Sequence, residues 1–204
     1  MQRRYLSLRY PLDRLLAALL LVAVSPLLVA VAVAVRVTSG RPVLFMQERV
    51  GRDGKVFTIV KFRTMVQDAE TIGGGYFAKE HGSLLTPLGR SLRATSLDEL
   101  PQLFNIVRGE MAIVGPRPSL VEQYERYTRF QRRRLEVLPG VTGLAQVTYR
   151  NDAPWSKRIV LDVEYVDRAN PVLDIVILVR TLRNVVIRAG VREDQTRGQV
   201  DDLG

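Results

Sequence analysis

Residues 15–35 read LLAALLLVAVSPLLVAVAVAV, 21 consecutive positions without a charged side chain, which is enough for a helix to reach across a bilayer. The run exceeds the apolar region of about 7–15 residues found in a cleavable leader. Ser25-Pro26 stands at its centre, where proline removes a backbone donor and serine can bond a freed carbonyl, so a bend is expected. Arg3, Arg4, Arg9 and Arg14 precede the run, while Arg36, Arg41, Arg49, Arg52 and Lys55 follow it. The positive-inside rule therefore finds no asymmetry to act on. Divided at Ser25-Pro26, the arms of 10 and 9 residues would each rise about 15 Å. The residues alone fit a kinked span and a re-entrant hairpin equally well.

The rest of the composition narrows the chemistry. The 204 residues include no cysteine and a single histidine, which excludes disulfides, zinc–thiolate sites and thiol nucleophiles. A Ser/His/Asp triad would have to use His81, so catalysis is expected to rest on carboxylates and cations, with oxygen ligands favouring magnesium. Thirty Lys+Arg against 21 Asp+Glu give a net charge of +9, which points to a polyanionic partner: nucleic acid, a phosphorylated ligand or anionic lipid. The expected division is a membrane-anchoring segment at 1–36, a working domain at 37–190 and a polar tail at 191–204.

At the start of the working domain, residues 43–50 and 55–65 flank Asp53-Gly54 and read as a β-hairpin. Period-two alternation then places Lys61 and Arg63 on one face, as surface cations or as a phosphate clamp. Gly73-Gly74-Gly75 with Ala78 follows no strand and reads as a loop rather than a dinucleotide site. His81 falls in the same loop and reads as solvated.

Ser96-Leu97-Asp98-Glu99-Leu100-Pro101-Gln102 opens an apolar helical run that stops at Gly109. Ser96 and Glu99 form a capping-box pattern, which would make Glu99 a helix-start residue and lower the pKa of Asp98 through the helix dipole. Free amides in such a turn also attract anions, and an ionised Asp98 among phosphate-binding cations is a competent nucleophile and a magnesium ligand. Gly115-Pro116-Arg117-Pro118 holds an arginine between two restricted prolines before a second capping-box pattern, Ser119 to Glu122. Arg150-Asn151 follows the apolar stretch 143–147. Arginines held this way suit bidentate phosphate recognition. Arg129 and Arg132-Arg133-Arg134 read as a solvated or membrane-facing face of a helix over 119–137. Beyond Asn170-Pro171, residues 172–189 read as a basic amphipathic helix, either core-packed or interfacial.

Five strings, taken in order, resemble the bacterial sugar transferase family of monotopic phosphoglycosyl transferases: Gln47-Glu48-Arg49-Val50-Gly51, Lys61-Phe62-Arg63-Thr64-Met65, residues 96–102, Val114-Gly115-Pro116-Arg117-Pro118, and Pro139 through Val147. The resemblance implies an α+β fold with a re-entrant N-terminal membrane helix broken at Ser25 and Pro26, a small hairpin packed with several helices, and interfacial amphipathic helices. It implies transfer of a phosphosugar from a UDP-sugar to undecaprenyl phosphate with magnesium and release of UMP. The expected place is the cytoplasmic face of a bacterial inner membrane, in contact with its lipids, at the start of envelope glycan, exopolysaccharide or glycoconjugate synthesis. The larger members carry additional spans before this region, so the chain is expected to match the minimal catalytic core.

Carried over by position, Asp98 is the nucleophile that forms an aspartyl-phosphosugar intermediate, and Glu99 completes the dyad. Lys61, Arg93 and Arg117 fall on cations near the phosphates. Arg150 falls on an arginine linked to the nucleotide, although the family usually has glycine where Tyr149 stands. No nucleic acid partner is expected under this reading, and a homo-oligomer is compatible with it. Two other classes compete: a membrane-anchored binder of anionic lipid or nucleic acid, and a non-catalytic scaffold of a polysaccharide assembly complex.

Overall fold

The computed structural model describes residues 2–67, 69, 84–149 and 153–187. The triple glycine, His81, Arg150 and the polar tail lie outside the described residues. The apolar run belongs to one helix, α1 (Gln2–Ser39), that carries Pro11 and Pro26 in its interior. Pro26 has no N–H to offer the carbonyl of Val22 four residues back. Ser25 Oγ donates to that carbonyl at 2.8 Å, so the helix continues through the expected break. Residues 4–39 are long and apolar enough to cross a membrane, and only 11% of their most apolar window is buried, unlike the core helix of a soluble protein.

Both ends of α1 nonetheless pack on the rest of the protein. Leu6 joins a cluster with Val114, Val137, Tyr165, Val166 and Ile177, Ala17 meets Ile59, Ile106 and Met111, and Val31 and Val35 meet Phe62 and Leu92. Leu19, Leu20, Val22, Leu27 and Val29 between them are exposed. A buried polar knot fixes the first turns: Arg9 donates to Tyr165 Oη at 2.5 Å, Asp174 Oδ2 at 2.6 Å and Val114 O at 2.7 Å, and Tyr5 Oη donates to Asp174 Oδ2 at 2.5 Å.

The hairpin forms where the sequence places it. β1 (Leu44–Val50) runs antiparallel to β2 (Val56–Phe62), with Leu44 opposite Phe62 and Val50 opposite Val56. Asp53 and Gly54 take φ of 58° and 77° in the turn, the left-handed conformation that Asp-Gly tolerates. A second pair, β3 (Ala112–Val114) and β4 (Gly140–Thr142), is parallel. A Cβ on Gly140 would stand 2.1 Å from Gly115 N, so the two backbones approach as closely as only glycine permits. Around these lie α2 (Pro87–Thr95), α3 (Gln102–Arg108), α4 (Val121–Glu125), α5 (Arg129–Arg132), α6 (Leu144–Tyr149), α7 (Trp155–Arg168) and α8 (Pro171–Val186). The result is an α+β fold with a long apolar N-terminal helix.

Several expectations need correction. Residues 119–137 are not one helix but α4, α5 and a 3-10 turn, Arg133–Glu136. The capping pair at Ser119 is displaced by one position: Gln123 Oε1 accepts from Leu120 N–H at 3.1 Å, because Ser119 is buried and its hydroxyl accepts from Tyr127 and Arg134. Nor is the arginine run 132–134 uniformly solvated. Arg132 lies 4.8 Å from the Tyr124 ring and Arg133 pairs with Asp167, whereas Arg134 is 1% exposed and pairs with Asp162 at 2.6 Å. A 3-10 turn against α7 directs it inward to a buried acid. In α8, Asp174 faces the Arg9 knot rather than solvent, while Val172, Ile175, Val179 and Leu182 are exposed.

Candidate active site

The site is assembled on the free edge of β2. Asn105 of α3 lies fully buried; its Oδ1 accepts from Val60 N–H at 3.2 Å and its Nδ2 donates to Thr58 O and Glu110 Oε2, both at 2.7 Å. One amide thus satisfies strand groups that no neighbouring strand reaches and docks α3 on the hairpin. Just before α3, a 3-10 turn, Leu97–Glu99, is thereby held against Lys61.

Ser96 does not open a capping box. With φ of 57° it is the left-handed residue that ends α2, its N–H donating to Arg93 O, and no side-chain cap bond forms at the 3-10 turn. Glu99 is consequently free of the backbone and meets two cations, Lys61 Nζ at 2.5 Å and Arg117 Nη1 at 3.5 Å from the same oxygen. Arg93 extends from α2 and donates from Nε to Thr64 Oγ1 at 3.0 Å. That approach depends on Gly89, where a Cβ would stand 1.9 Å from Thr64 O.

Asp98 is buried, and its carboxyl is pushed up from the ordinary aspartate range by burial and then by the charge of Glu99, against the pull of Lys61, Arg93 and Arg117. The dipole-driven lowering expected from the sequence is therefore reversed: a single 3-10 turn offers little dipole, and desolvation prevails. For Glu99, burial also pushes upward, but Lys61 and Arg117 outweigh it and hold the carboxyl well below its usual range. Burial lowers Lys61 in spite of Glu99 and Asp98. Two adjacent carboxylates with opposite proton affinities stand among three cations, an arrangement suited to receiving a phosphate group.

Arg63 does not join this cluster. β2 ends at Phe62, so the alternation shared with Lys61 stops there. The Arg63 guanidinium instead donates to the carbonyls of Arg41, at 2.8 Å, and of Ser39, where it closes the end of α1. Lys61, Arg93, Asp98, Glu99 and Arg117 are brought together. Asn105 escaped the sequence reading, although a polar residue on the buried face of the run QLFNIVR was the available signal.

Among the described residues no group of three or more His, Asp or Glu side chains converges, so an all-protein metal cage is excluded there. The pair Asp98–Glu99 does fit magnesium, which takes one or two carboxylates and completes its shell with substrate phosphates and water. The raised Asp98 carboxyl is what a nearby cation would relieve.

The apolar N-terminal helix is long enough to cross a membrane, and the cluster beside it is suited to an anionic group. The family model for bacterial sugar transferases matches residues 4–188, and the chain belongs to that family. It is 41% identical over 181 residues to an uncharacterized sugar transferase, EpsL, of Bacillus subtilis, a match that covers 89% of this chain and 88% of that protein. It is 35% identical to the exopolysaccharide production protein ExoY of Sinorhizobium fredii, across 87% and 85% of the two chains. A third relative, the UDP-N-acetylgalactosamine-undecaprenyl-phosphate N-acetylgalactosaminephosphotransferase of Aeromonas hydrophila, is 36% identical over 92% of this chain but only 46% of its own length. The chain thus spans nearly all of some curated relatives and less than half of others.

Proposed function

We propose that the chain transfers a phosphosugar from a UDP-sugar to undecaprenyl phosphate and thereby initiates an envelope glycan or glycoconjugate. The observation that carries this reading is the buried Asp98 beside an ionised Glu99 and ringed by Lys61, Arg93 and Arg117. The Aeromonas relative's name supplies the donor and acceptor classes.

The diphosphate of the donor enters between Lys61, Arg93 and Arg117, whose charges offset its own. An Asp98 oxygen attacks the sugar-bearing phosphorus, and the bond to the bridging oxygen breaks with its electron pair leaving on UMP. UMP departs, and a phosphate oxygen of the polyprenyl acceptor attacks the same phosphorus, which breaks the aspartyl–phosphorus bond and restores the carboxylate. Glu99 holds Lys61 and Arg117 in place throughout, and Asp98 and Glu99 would hold magnesium. When bound, the ion would neutralise phosphate charge. Arg150 is retained in this reading as a contact to the nucleotide.

In this reading α1 bends at Ser25-Pro26, enters one leaflet and returns; the packing of both of its ends on the same body supports that path, and the site would then lie at headgroup level on the cytoplasmic face of the inner membrane. The exposed apolar side chains of α8 support an interfacial position for that helix.

The test is covalent. Protein given UDP-sugar and magnesium without acceptor is expected to release up to one UMP per site and to gain a phosphosugar mass on the peptide containing Asp98. UMP release that requires both substrates at once, with no adduct, rejects the two-step route.

A further inference from the structure

Arg117 reaches Glu99 from a segment that can hardly fix itself. Pro116 and Pro118 carry no N–H, and the Arg117 side chain is 41% exposed, so burial does not hold its head in place. What the segment offers is carbonyls, and three separate elements hold them. Gly140 N–H of β4 donates to Pro116 O at 2.9 Å. Arg134 Nη2 donates to Arg117 O at 2.8 Å. Arg49 Nη1 donates to Pro118 O at 3.3 Å.

Both arginines are engaged by other protein groups as well. Arg134 is buried and also donates to Ser119 Oγ at 2.8 Å, Tyr127 Oη at 2.5 Å and Asp162 Oδ2 at 2.6 Å. Arg49 is anchored to the Gln47 amide oxygen. Because β1 pairs Phe45 with Lys61 and Arg49 with Phe57, Arg49 shares the hairpin face of Lys61. One hairpin thus places Lys61 on Glu99 and Arg49 on the loop that carries Arg117.

We infer that Arg49 and Arg134 are positioning residues that grip the Pro116–Pro118 backbone by its carbonyls and thereby set where the Arg117 guanidinium meets the substrate. The clamp stands on the geometry alone; its effect on turnover rests on the transferase reading above. Two arginines that raise the positive charge of the chain therefore act on peptide carbonyls and leave the phosphates to Lys61, Arg93 and Arg117.

The test uses the full chain in lipid nanodiscs, with Arg49→Gln as the principal variant and Arg134→Lys as the second. Arg134→Ala is avoided because it would strand the buried charge of Asp162. The first readout needs no substrate: the Arg117 Nε–Hε signal in 15N NMR, assigned by its loss in Arg117→Lys, is expected to exchange with water at least about threefold faster in each variant. The second is UMP release. Arg49→Gln is expected to lower kcat/KM about tenfold in the wild-type background, as loss of a charge-assisted bond predicts, and less than about twofold in the Arg117→Ala background. Arg49→Lys, which keeps a donor, should recover part of the loss. An unchanged Arg117 signal, or equal losses in both backgrounds, overturns the inference. Altered exchange in a protein that turns over no UDP-sugar would leave the clamp standing and reject the transferase reading.

Discussion

Replacing Lys61 with methionine keeps the length of the side chain and removes its charge. Lys61 Nζ lies 2.5 Å from Glu99 Oε1, with the two side chains 14% and 20% exposed. At an effective dielectric constant of about 20, that separation corresponds to roughly 7 kcal/mol of attraction, most of which is offset by the cost of removing both charges from water. A charge-assisted hydrogen bond of this kind is worth a net of about 1.5–3 kcal/mol. Glu99 keeps Arg117 at 3.5 Å, so the lower part of that range applies. The bond from Lys61 to a substrate phosphate is of the same charge-assisted kind, and losing about 2 kcal/mol of it in the transition state corresponds to roughly a thirtyfold fall in kcat/KM. The assay is the initial rate of UMP release from a UDP-sugar in liposomes containing polyprenyl phosphate, with the thermal midpoint measured on the same preparation. Adding Glu99→Gln should recover stability without recovering rate, because the stranded charge is gone while the phosphate still lacks its cation. A Lys61→Met rate within about threefold of wild type at unchanged stability would falsify the assignment and leave Lys61 as a packing residue.

Asp98→Asn is expected to abolish turnover and to raise the thermal midpoint at neutral pH. A carboxyl whose folded pKa lies above its unfolded value stabilises the protein only while protonated, and that contribution is lost as pH rises through the folded value; a lower midpoint would contradict the burial argument. The rate of the wild type should fall as pH drops through the same raised value, above the 3.8 of an ordinary aspartate, and Glu99→Gln should move that limb toward acid in a pH–rate profile. Gly140→Ala, whose methyl carbon would lie 2.1 Å from Gly115 N, should destabilise by at least about 3 kcal/mol or prevent folding, read by thermal denaturation. Single cysteines at Arg4 and Arg41, both exposed, should react with an impermeant reagent from the same side of inverted vesicles; opposite accessibility would refute the re-entrant path.

Local chemistry was legible in the sequence and long-range pairing was not. Asp53-Gly54 declared the hairpin because its φ requirement is intrinsic to the residues, and Gly109 stopped α3 for the same reason. The proximity of Asp98, Glu99, Lys61, Arg93 and Arg117 followed from the family's strings rather than from any pattern of spacing. The capping box at Ser96 failed because Ser/Thr-x-x-Glu fits two local geometries, and the ion pair with Lys61, 38 residues earlier, selected the other. Arg63 was misplaced because alternation holds only while the strand lasts. Arg134 was misread because its fate depends on Asp162, 28 residues later, and an arginine in a basic run gives no sign of a distant acid.

The knot at Arg9 also constrains the order in which the molecule can be completed. Asp174, the buried partner of Arg9, is made 165 residues after it, and Tyr165 and the Val114 carbonyl also come later. Until the Val114 carbonyl is made, the nascent helix has only Asp13, four residues on, to pair with that guanidinium, and hydrocarbon would exact a heavy penalty for it. With the apolar run in a bilayer, the first turns of α1 would therefore wait in water or among lipid headgroups until those partners are made. A ribosome stalled before α8 would therefore leave α1 without the latch that ties it to the body.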